Sequence, residues 1–579
     1  MDKHQVARTL EEIAILLELK GENSFKIRAH ENAARAVDGL GEDLALLVKE
    51  GRLTSVPGIG DSIAKKIAEL WTTGRMKHYD ELAAEVPRGY LDMIRVPGLG
   101  AKKIRALGDA LQITTLARLK EACEAGEIRV LKGFGEQSER KILQGIALVE
   151  QGAGRYLAAE VRPMAEELLQ YLRGHAAVKA AEVGGSLRRW METVKDVDLV
   201  VATSKPAAVA KAFLEILPQH TITGAGDTKT SVRLPNGLAI DLRLVSPKEF
   251  PFALHYFTGS AAHNIRVRGR ALDRGWSLNE YTLLAEAAKV KKAPSVATEA
   301  DLFKALGLAY IEPELREDRG EIEAAEAGTL PELITLADMR GILHCHTVAS
   351  DGKGTLEEMA EAAIAYGASY LGISDHSASA RYANGLSEEA LAEQGEAIDK
   401  WNSRSKKLRI LKGTETDILP DGTLDYPDHV LAKLDFVIAS VHTHFTMDEA
   451  AMTARVVRAL RNPYVSVLAH PTGRLLLQRD GFKVRMDEVL RAAADNGVVV
   501  ELNATPRRLE LDWRQLRGAK EMGVKIAINP DAHSVDEYEQ LRYGIGAARK
   551  GWLTRHDVVN TLPAEDLLAL FRSRRGAGV

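Results

Sequence analysis

The sequence predicts a multidomain chain with three successive architectures: an all-α start, an α+β middle and a parallel α/β C-terminal part. Three observations carry this expectation. The 579 residues far exceed the roughly 100–200 of a typical domain. Residues 1–150 place apolar side chains three and four apart, as in LEEIAILLELKG, with little β-branched alternation. Strand-like runs begin after residue 154, and from Met339 onward they alternate with amphipathic helices.

Composition sets the class. Charged residues make up 27% and hydrophobic residues 45%, an ordinary globular balance that excludes disordered, collagenous and disulfide-framed chains. The two cysteines, Cys123 and Cys345, offer no disulfide framework and no four-cysteine zinc module. No apolar run is long enough to span a bilayer, and the start MDKHQVARTLEE is no signal peptide. A soluble cytoplasmic protein with no membrane partner is expected. The net charge of −4 argues against a uniformly basic protein but leaves room for local basic surfaces.

In the helical start, three segments share one pattern: VPGIGDSIAKKI from Val56, VPGLGAKKIRAL from Val96 and LKGFGEQSERKIL from Leu131. Each has two glycines two apart, Gly58/Gly60, Gly98/Gly100 and Gly133/Gly135, and then a helix start with lysine or arginine within about a turn, such as Lys66 and Lys102. Such a turn aims backbone amides outward at a helix N-terminus, which suits an anion. Three copies point to helix-hairpin-helix elements that grip a phosphodiester backbone without reading bases.

In the middle, GGSLRRWMETVKDVDLVV runs from Gly184. Asp196 and Asp198, two apart on a strand, leave one face, while Val197, Leu199 and Val201 leave the other. In LAIDLRLV the same alternation turns Asp241 away from Leu238, Ile240, Leu242 and Leu244. Three carboxylates on one sheet face repel one another unless cations intervene, and two Mg²⁺ ions would set up in-line phosphoryl transfer. Upstream, Gly185 and Ser186 form a turn for phosphate oxygens, with Arg188 and Arg189 adding charge.

This combination resembles the nucleotidyltransferase superfamily, and specifically the family X DNA polymerases. The segment HYFTGSAAHNIRVRGRALDRGWSLNEYTL from His255 is similar to that family's nucleotide-binding region. The resemblance implies that Tyr256 and Phe257 flank the sugar, that Gly259 belongs to the nucleotide site, and that Asn264 and Arg268 contact the nucleotide and template. It also places Lys66 at the position of a Schiff-base lysine in a lyase-like domain. Two positions depart from the family: Trp190 and Lys195 stand where glycines are usual, adding bulk near the triphosphate turn. They keep open a second reading, in which the polymerase half only tethers a nuclease or phosphatase to DNA.

The C-terminal part holds nine of the sixteen histidines. His344 and His346 are two apart on a strand and share a face. His376, Glu415, His442, His470, Asp531 and His533 follow in small groups, each closing an apolar run such as YLGIS, FVIASV, VSVLA or VKIAI. In an α/β barrel the C-terminal strand ends form one active face, so these residues converge. The series resembles the PHP (polymerase and histidinol phosphatase) family, which implies a distorted (β/α)7 barrel, up to three metal ions and Asp351 as a further ligand. Nitrogen and oxygen donors with a bridging carboxylate suit Mn²⁺ or Zn²⁺. Arg474 and Arg507 are candidate phosphate contacts, and His429 and His444 outer or substrate-side groups.

The expected organisation is therefore a lyase-like helical domain at 1–85, fingers-like helices at 86–154, a nucleotidyltransferase palm at 155–250, a thumb at 251–317, a linker at 318–337 and a PHP phosphoesterase at 338–579. The expected function is gap-filling DNA polymerisation in repair, with a 3′–5′ exonuclease in the PHP part. Gapped or nicked DNA and dNTPs are the expected partners, without an obligate protein subunit.

Overall fold

The computed structural model describes residues 3–575 apart from 39, 41–43, 95, 153, 218 and 286–291. The chain divides into two compact units, Met1–Ala153 and Gly154–Val579.

The first unit is helical. Helices Asp61–Thr73, Ala101–Leu111 and Glu136–Gly152 follow the three glycine turns. The apolar residue between each pair of glycines, Ile59, Leu99 or Phe134, is buried and pins its turn to the core. Gly58, Gly98 and Gly133 take left-handed φ values of 93°, 79° and 90°, where a Cβ is strained.

The second unit opens with a five-stranded sheet in the order Val178–Val183, Asp196–Thr203, Ala239–Val245, Lys229–Arg233, Thr221–Ala225. Only Asp196–Thr203 and Ala239–Val245 pair in parallel. Val197, Leu199, Val201, Ile240, Leu242 and Leu244 form a buried core on one face, as their alternation requires. Helices Phe250–Thr258 and Ala261–Leu272 and the hairpin of Trp276–Leu278 with Leu283–Ala285 follow.

The segment expected to be a linker, 318–337, is instead a packed element. Its helix Glu321–Ala327 places Ile322 and Ala325 in the core that holds Phe252 and Val267. Its acidic residues explain the composition. Glu321 meets His263 Nδ1 at 2.8 Å, Asp318 meets Arg266 at 2.9 Å and Glu326 meets Arg270 at 2.6 Å, all on helix Ala261–Leu272. An acidic, weakly periodic sequence reads as solvated, but here basic side chains on a neighbouring helix neutralise it.

The C-terminal part has parallel strands Gly341–Ile342, Tyr370–Ile373 and Arg409–Lys412, then Glu415–Asp417, Ile438–Ser440, Val467–Leu468, Val499–Asn503 and Ile526–Asn529. The bridge His376–Glu415 joins the two sheets, and the bridge Cys345–Ala532 returns the last strand to the first. Both are parallel, so the strand ends that carry the candidate ligands point the same way. Cys345 turns into the hydrophobic core. Among the described residues, no helix is long and apolar enough to cross a membrane.

Candidate active sites and nucleic-acid interface

The strand register brings the first carboxylates together. Asp198 pairs directly with Asp241, and Asp196 sits two residues before Asp198 on the same face. Burial, together with the neighbouring Asp196 and Asp241, raises the Asp198 carboxyl from 3.8 to about 6. Asp241 is partly neutralised: its Oδ2 lies 2.7 Å from Lys229 Nζ and 3.6 Å from Arg243, and its Oδ1 accepts from Ser231 Oγ at 2.7 Å. A carboxylate cluster that raises its own pKa is the donor set that a divalent cation relieves. Lys229 and Ser231, on the adjacent strand Lys229–Arg233, carried no motif and were not foreseen.

The glycine turn packs against this cluster. Gly185 has φ 60°, and a Cβ there would sit 2.7 Å from Asp198 Oδ2. Only glycine brings the backbone so near the carboxylates. Ser186 lies in the one-turn helix Gly185–Arg188. The arginines are not free-standing. Arg188 forms a fork on Glu299 and donates to Thr258 Oγ1 at 2.7 Å. Arg189 pairs with Glu317 at 2.9 Å and donates to the Thr258 carbonyl at 2.6 Å. They tie the turn to the end of helix Phe250–Thr258, beside Gly259.

Tyr256 and Phe257 meet edge to face at 5.1 Å, and Arg243 lies 4.4 Å over the Phe257 ring. Asn264 donates to the Tyr256 carbonyl at 2.7 Å, while its Oδ1 is buried without a hydrogen bond. Arg268 is exposed on the same helix. The two departures from the family do not crowd the carboxylates. The Trp190 ring packs against Arg162 and Gly546, and Lys195 is exposed.

In the helical unit, Gly60 and Gly100 take ordinary extended conformations as N-caps of their helices. A Cβ at Gly60, Gly100 or Gly135 would meet no atom within 4 Å. The fold does not need glycine there, and the open space leaves the helix N-terminal amides accessible to an anion. Lys102 is exposed, one residue inside its helix. Lys66 is different: half-buried, it lies 3.2 Å from His30 Nε2, and burial with nearby Lys26 lowers its amine pKa.

All nine expected ligands of the C-terminal part converge. Glu415 sits at the centre. Its Oε1 lies 2.9 Å from His470 Nε2 and 3.4 Å from His442 Nε2. Its Oε2 lies 3.0 Å from His376 Nδ1, 3.5 Å from His344 Nε2 and 3.6 Å from His346 Nε2. Asp531 Oδ1 is 3.4 Å from His344 Nε2 and 3.3 Å from His346 Nε2. Asp351 Oδ1 is 3.6 Å from His376 Nε2 and 3.4 Å from His533 Nε2. Three groups with metal-ligand spacing result among the described residues: His346, Asp351, His376 and His533; His344, His346 and Asp531; His376, Glu415 and His442.

The donors fit metal ions on their own chemistry. His344 Nε2, both nitrogens of His346, His376 Nδ1 and His470 Nδ1 are buried and make no hydrogen bond. Orphaned imidazole nitrogens are costly unless something coordinates them. Burial alone would raise the Glu415 carboxyl, but His442, His376 and His344 hold it well below the usual range.

A second layer fixes the rings. His344 Nδ1 meets Glu501 at 2.7 Å, and His442 Nδ1 meets Asp417 at 2.6 Å, so the opposite nitrogens face the cluster. Asp417 and Glu501 were missed, although Asp417 lies two residues from Glu415 and Glu501 closes the run VVVEL. Arg508, whose Nε is 3.9 Å from Asp531 Oδ2, had no sequence signal. Arg474 is committed to Asp512 and to the backbone of Arg508 and Leu509, so it is a loop brace rather than a phosphate contact. His429 pairs with Glu388, and the exposed His444 ring meets only Thr443 among the ring contacts described.

The chain is similar to known proteins along its whole length. Residues 1–76 match the helix-hairpin-helix domain family and 90–147 the SAM-like helix-hairpin-helix tandem. Residues 253–317 match the DNA polymerase beta thumb, and 343–505 the PHP domain. The chain is 40% identical over 575 residues to the DNA polymerase/3′-5′ exonuclease PolX of Bacillus subtilis (strain 168), covering 99% of this chain and 100% of that protein. A probable phosphatase of Thermoanaerobacter sp. (strain X514) is 30% identical over 235 residues, 38% of this chain and 89% of its own length. DNA polymerase lambda of Rattus norvegicus is 28% identical over 298 residues, 45% of this chain and 48% of its own. The full-length likeness, with helix-hairpin-helix, thumb and PHP matches in the same order, shows that the chain belongs to the family X DNA polymerases that carry a C-terminal PHP domain.

Proposed function

We propose that this protein extends DNA primers from dNTPs at Asp196, Asp198 and Asp241, and removes nucleotides from 3′ ends at the His344–His533 cluster. The carrying observation is the coexistence of two separate metal-type donor sets within one full-length likeness to a DNA polymerase/3′-5′ exonuclease. Gapped or nicked DNA is the proposed substrate, held by the three glycine turns, and short-gap repair the proposed setting.

At the polymerase site, Asp196, Asp198 and Asp241 would hold Mg²⁺. Asp241 is the proposed acceptor for the proton of the primer 3′-hydroxyl. Gly185 and Ser186 would present the turn to the triphosphate, and Tyr256 and Phe257 would face the sugar. At the PHP site, His344, His346, Asp351, His376, Glu415, His442, His470, Asp531 and His533 would hold up to three Mn²⁺ or Zn²⁺ ions. Bound ions supply Lewis acidity toward the phosphate at both sites. Glu501 and Asp417 keep the imidazoles oriented, and Arg508 stands beside Asp531 as a cation for the scissile phosphate. The second reading, a tethered nuclease without polymerisation, rested on Trp190 and Lys195, and neither side chain enters the carboxylate cluster.

The test is direct. The purified protein, given a labelled one-nucleotide gap, dNTPs and Mg²⁺, is expected to lengthen the primer. Without dNTPs and with Mn²⁺, it is expected to shorten the primer from its 3′ end. A protein that shortens but never lengthens contradicts the polymerase half of the reading and favours the tethered nuclease.

A further inference from the structure

The nucleotide turn is held from behind by the PHP domain. Helix Leu541–Lys550 packs on the residues that follow the turn. Trp190 lies between the two parts: Arg162 sits 3.7 Å over its ring, and a Cβ on Gly546 would fall 2.1 Å from it. Its backbone has φ 55°, a conformation that a tryptophan adopts only when its surroundings fix it. Lys550 is buried, with 1% exposure. Its Nζ donates to the Arg189 carbonyl at 3.1 Å and to the Glu317 carboxylate. The same Glu317 oxygen takes the Arg189 guanidinium at 2.9 Å. Arg189 in turn reaches the Thr258 carbonyl.

One connected path therefore runs from the PHP helix through Glu317 and Arg189 to the nucleotide segment. On the opposite side, Gly185 abuts Asp198. The turn is clamped between the catalytic carboxylates and the PHP helix. A buried ion pair contributes little net stability compared with apolar packing, but it defines geometry.

We propose that Lys550 and Trp190 are positioning residues of the polymerase reaction: the PHP helix holds the Gly185–Arg189 turn in the form that receives the dNTP triphosphate. This rests on the polymerase reading above. The exonuclease domain is then a structural part of the nucleotide site, not only an appended activity.

The test uses the full-length protein and steady-state single-nucleotide gap filling. Lys550→Met keeps the stem and removes all three hydrogen bonds of Nζ, the third being to the Glu314 carbonyl at 3.4 Å. It is expected to raise KM for dNTP about tenfold, the order expected for losing a hydrogen bond to a charged group, with kcat changed less. Its 3′–5′ exonuclease rate is expected to stay at the wild-type level, which also reports folding. Arg517→Ala removes a bond to the Arg319 carbonyl at the same interface, with no contact to Lys550, Glu317, Arg189 or Trp190 among those described, and is expected to leave KM unchanged. If Lys550→Met does not fold, Glu317→Gln carries the same expectation of a raised KM. An unchanged KM in the folded variant, or an equal rise in Arg517→Ala, overturns the proposal. A wild-type protein without any extension overturns the polymerase reading itself, and this proposal with it.

Discussion

The environment of Asp198 couples its proposed role to pH. Burial and two like-charged neighbours raise its carboxyl from 3.8 to about 6. Because the folded value is the higher one, the metal-free fold binds a proton there that the unfolded chain has released, so this group's contribution to stability falls as pH rises from about 4 to about 6. A divalent ion held by Asp198 as proposed would have to displace that proton. Primer extension at limiting Mg²⁺ is therefore expected to fall as pH drops below about 6, and excess Mg²⁺ should move the midpoint to lower pH. A pH–rate profile at two Mg²⁺ concentrations checks this, and a profile indifferent to Mg²⁺ contradicts it. At this scale the grouping of the three aspartates and of the strand-end histidines is legible, because strand alternation gives the face of each residue. The partners of Arg188 and Arg189 are not. Glu299 and Glu317 lie more than a hundred residues downstream, and no local pattern joins them.

The glycine turns separate two uses of glycine within one short element. Gly98 occupies a left-handed conformation, so Gly98→Ala should cost about 1–2 kcal/mol of stability. Gly100 has ordinary backbone angles and open space beyond it. Gly100→Ala is expected to leave the melting temperature nearly unchanged while weakening binding to gapped duplex, because the methyl group stands where the phosphate approaches. Thermal melting and fluorescence anisotropy on both variants test the distinction. Equal DNA affinity for Gly100→Ala and wild type would remove the case for backbone-amide contact. The turns were legible because the motif is contiguous. The strand-end ligands were legible for a different reason: each closes an apolar run, so parallel topology alone brings them together. Glu501 obeys the same rule, following Val498–Val500, but a lone carboxylate carries no further signal in the sequence.

At the scale of the whole molecule, the thumb and palm join the PHP domain through packed contacts. The 318–337 segment reads as an acidic connector. In the structure it completes the thumb core, where Trp552 of the PHP domain also packs, and Arg514 reaches Glu192 of the palm at 3.0 Å. No local pattern shows this: Glu192 and Arg514 are 322 residues apart, and even His263 and Glu321 are 58 apart. A fragment ending at residue 320 cuts through that core. It is expected to melt at lower temperature than the full chain and to bind a hydrophobic dye, and equal stability would contradict the shared core. The net charge of −4 likewise averages basic surfaces, two acidic metal-type clusters and a neutralised connector.

The central claim is that one chain carries two phosphoryl-transfer sites with separate sets of catalytic side chains. It is tested most directly by one gapped substrate offered to two variants, Asp196→Ala and His344→Ala, with extension and 3′ resection both followed. Loss of extension alone in the first and of resection alone in the second is the predicted result. Loss of both activities in either folded variant, or of neither, would contradict it.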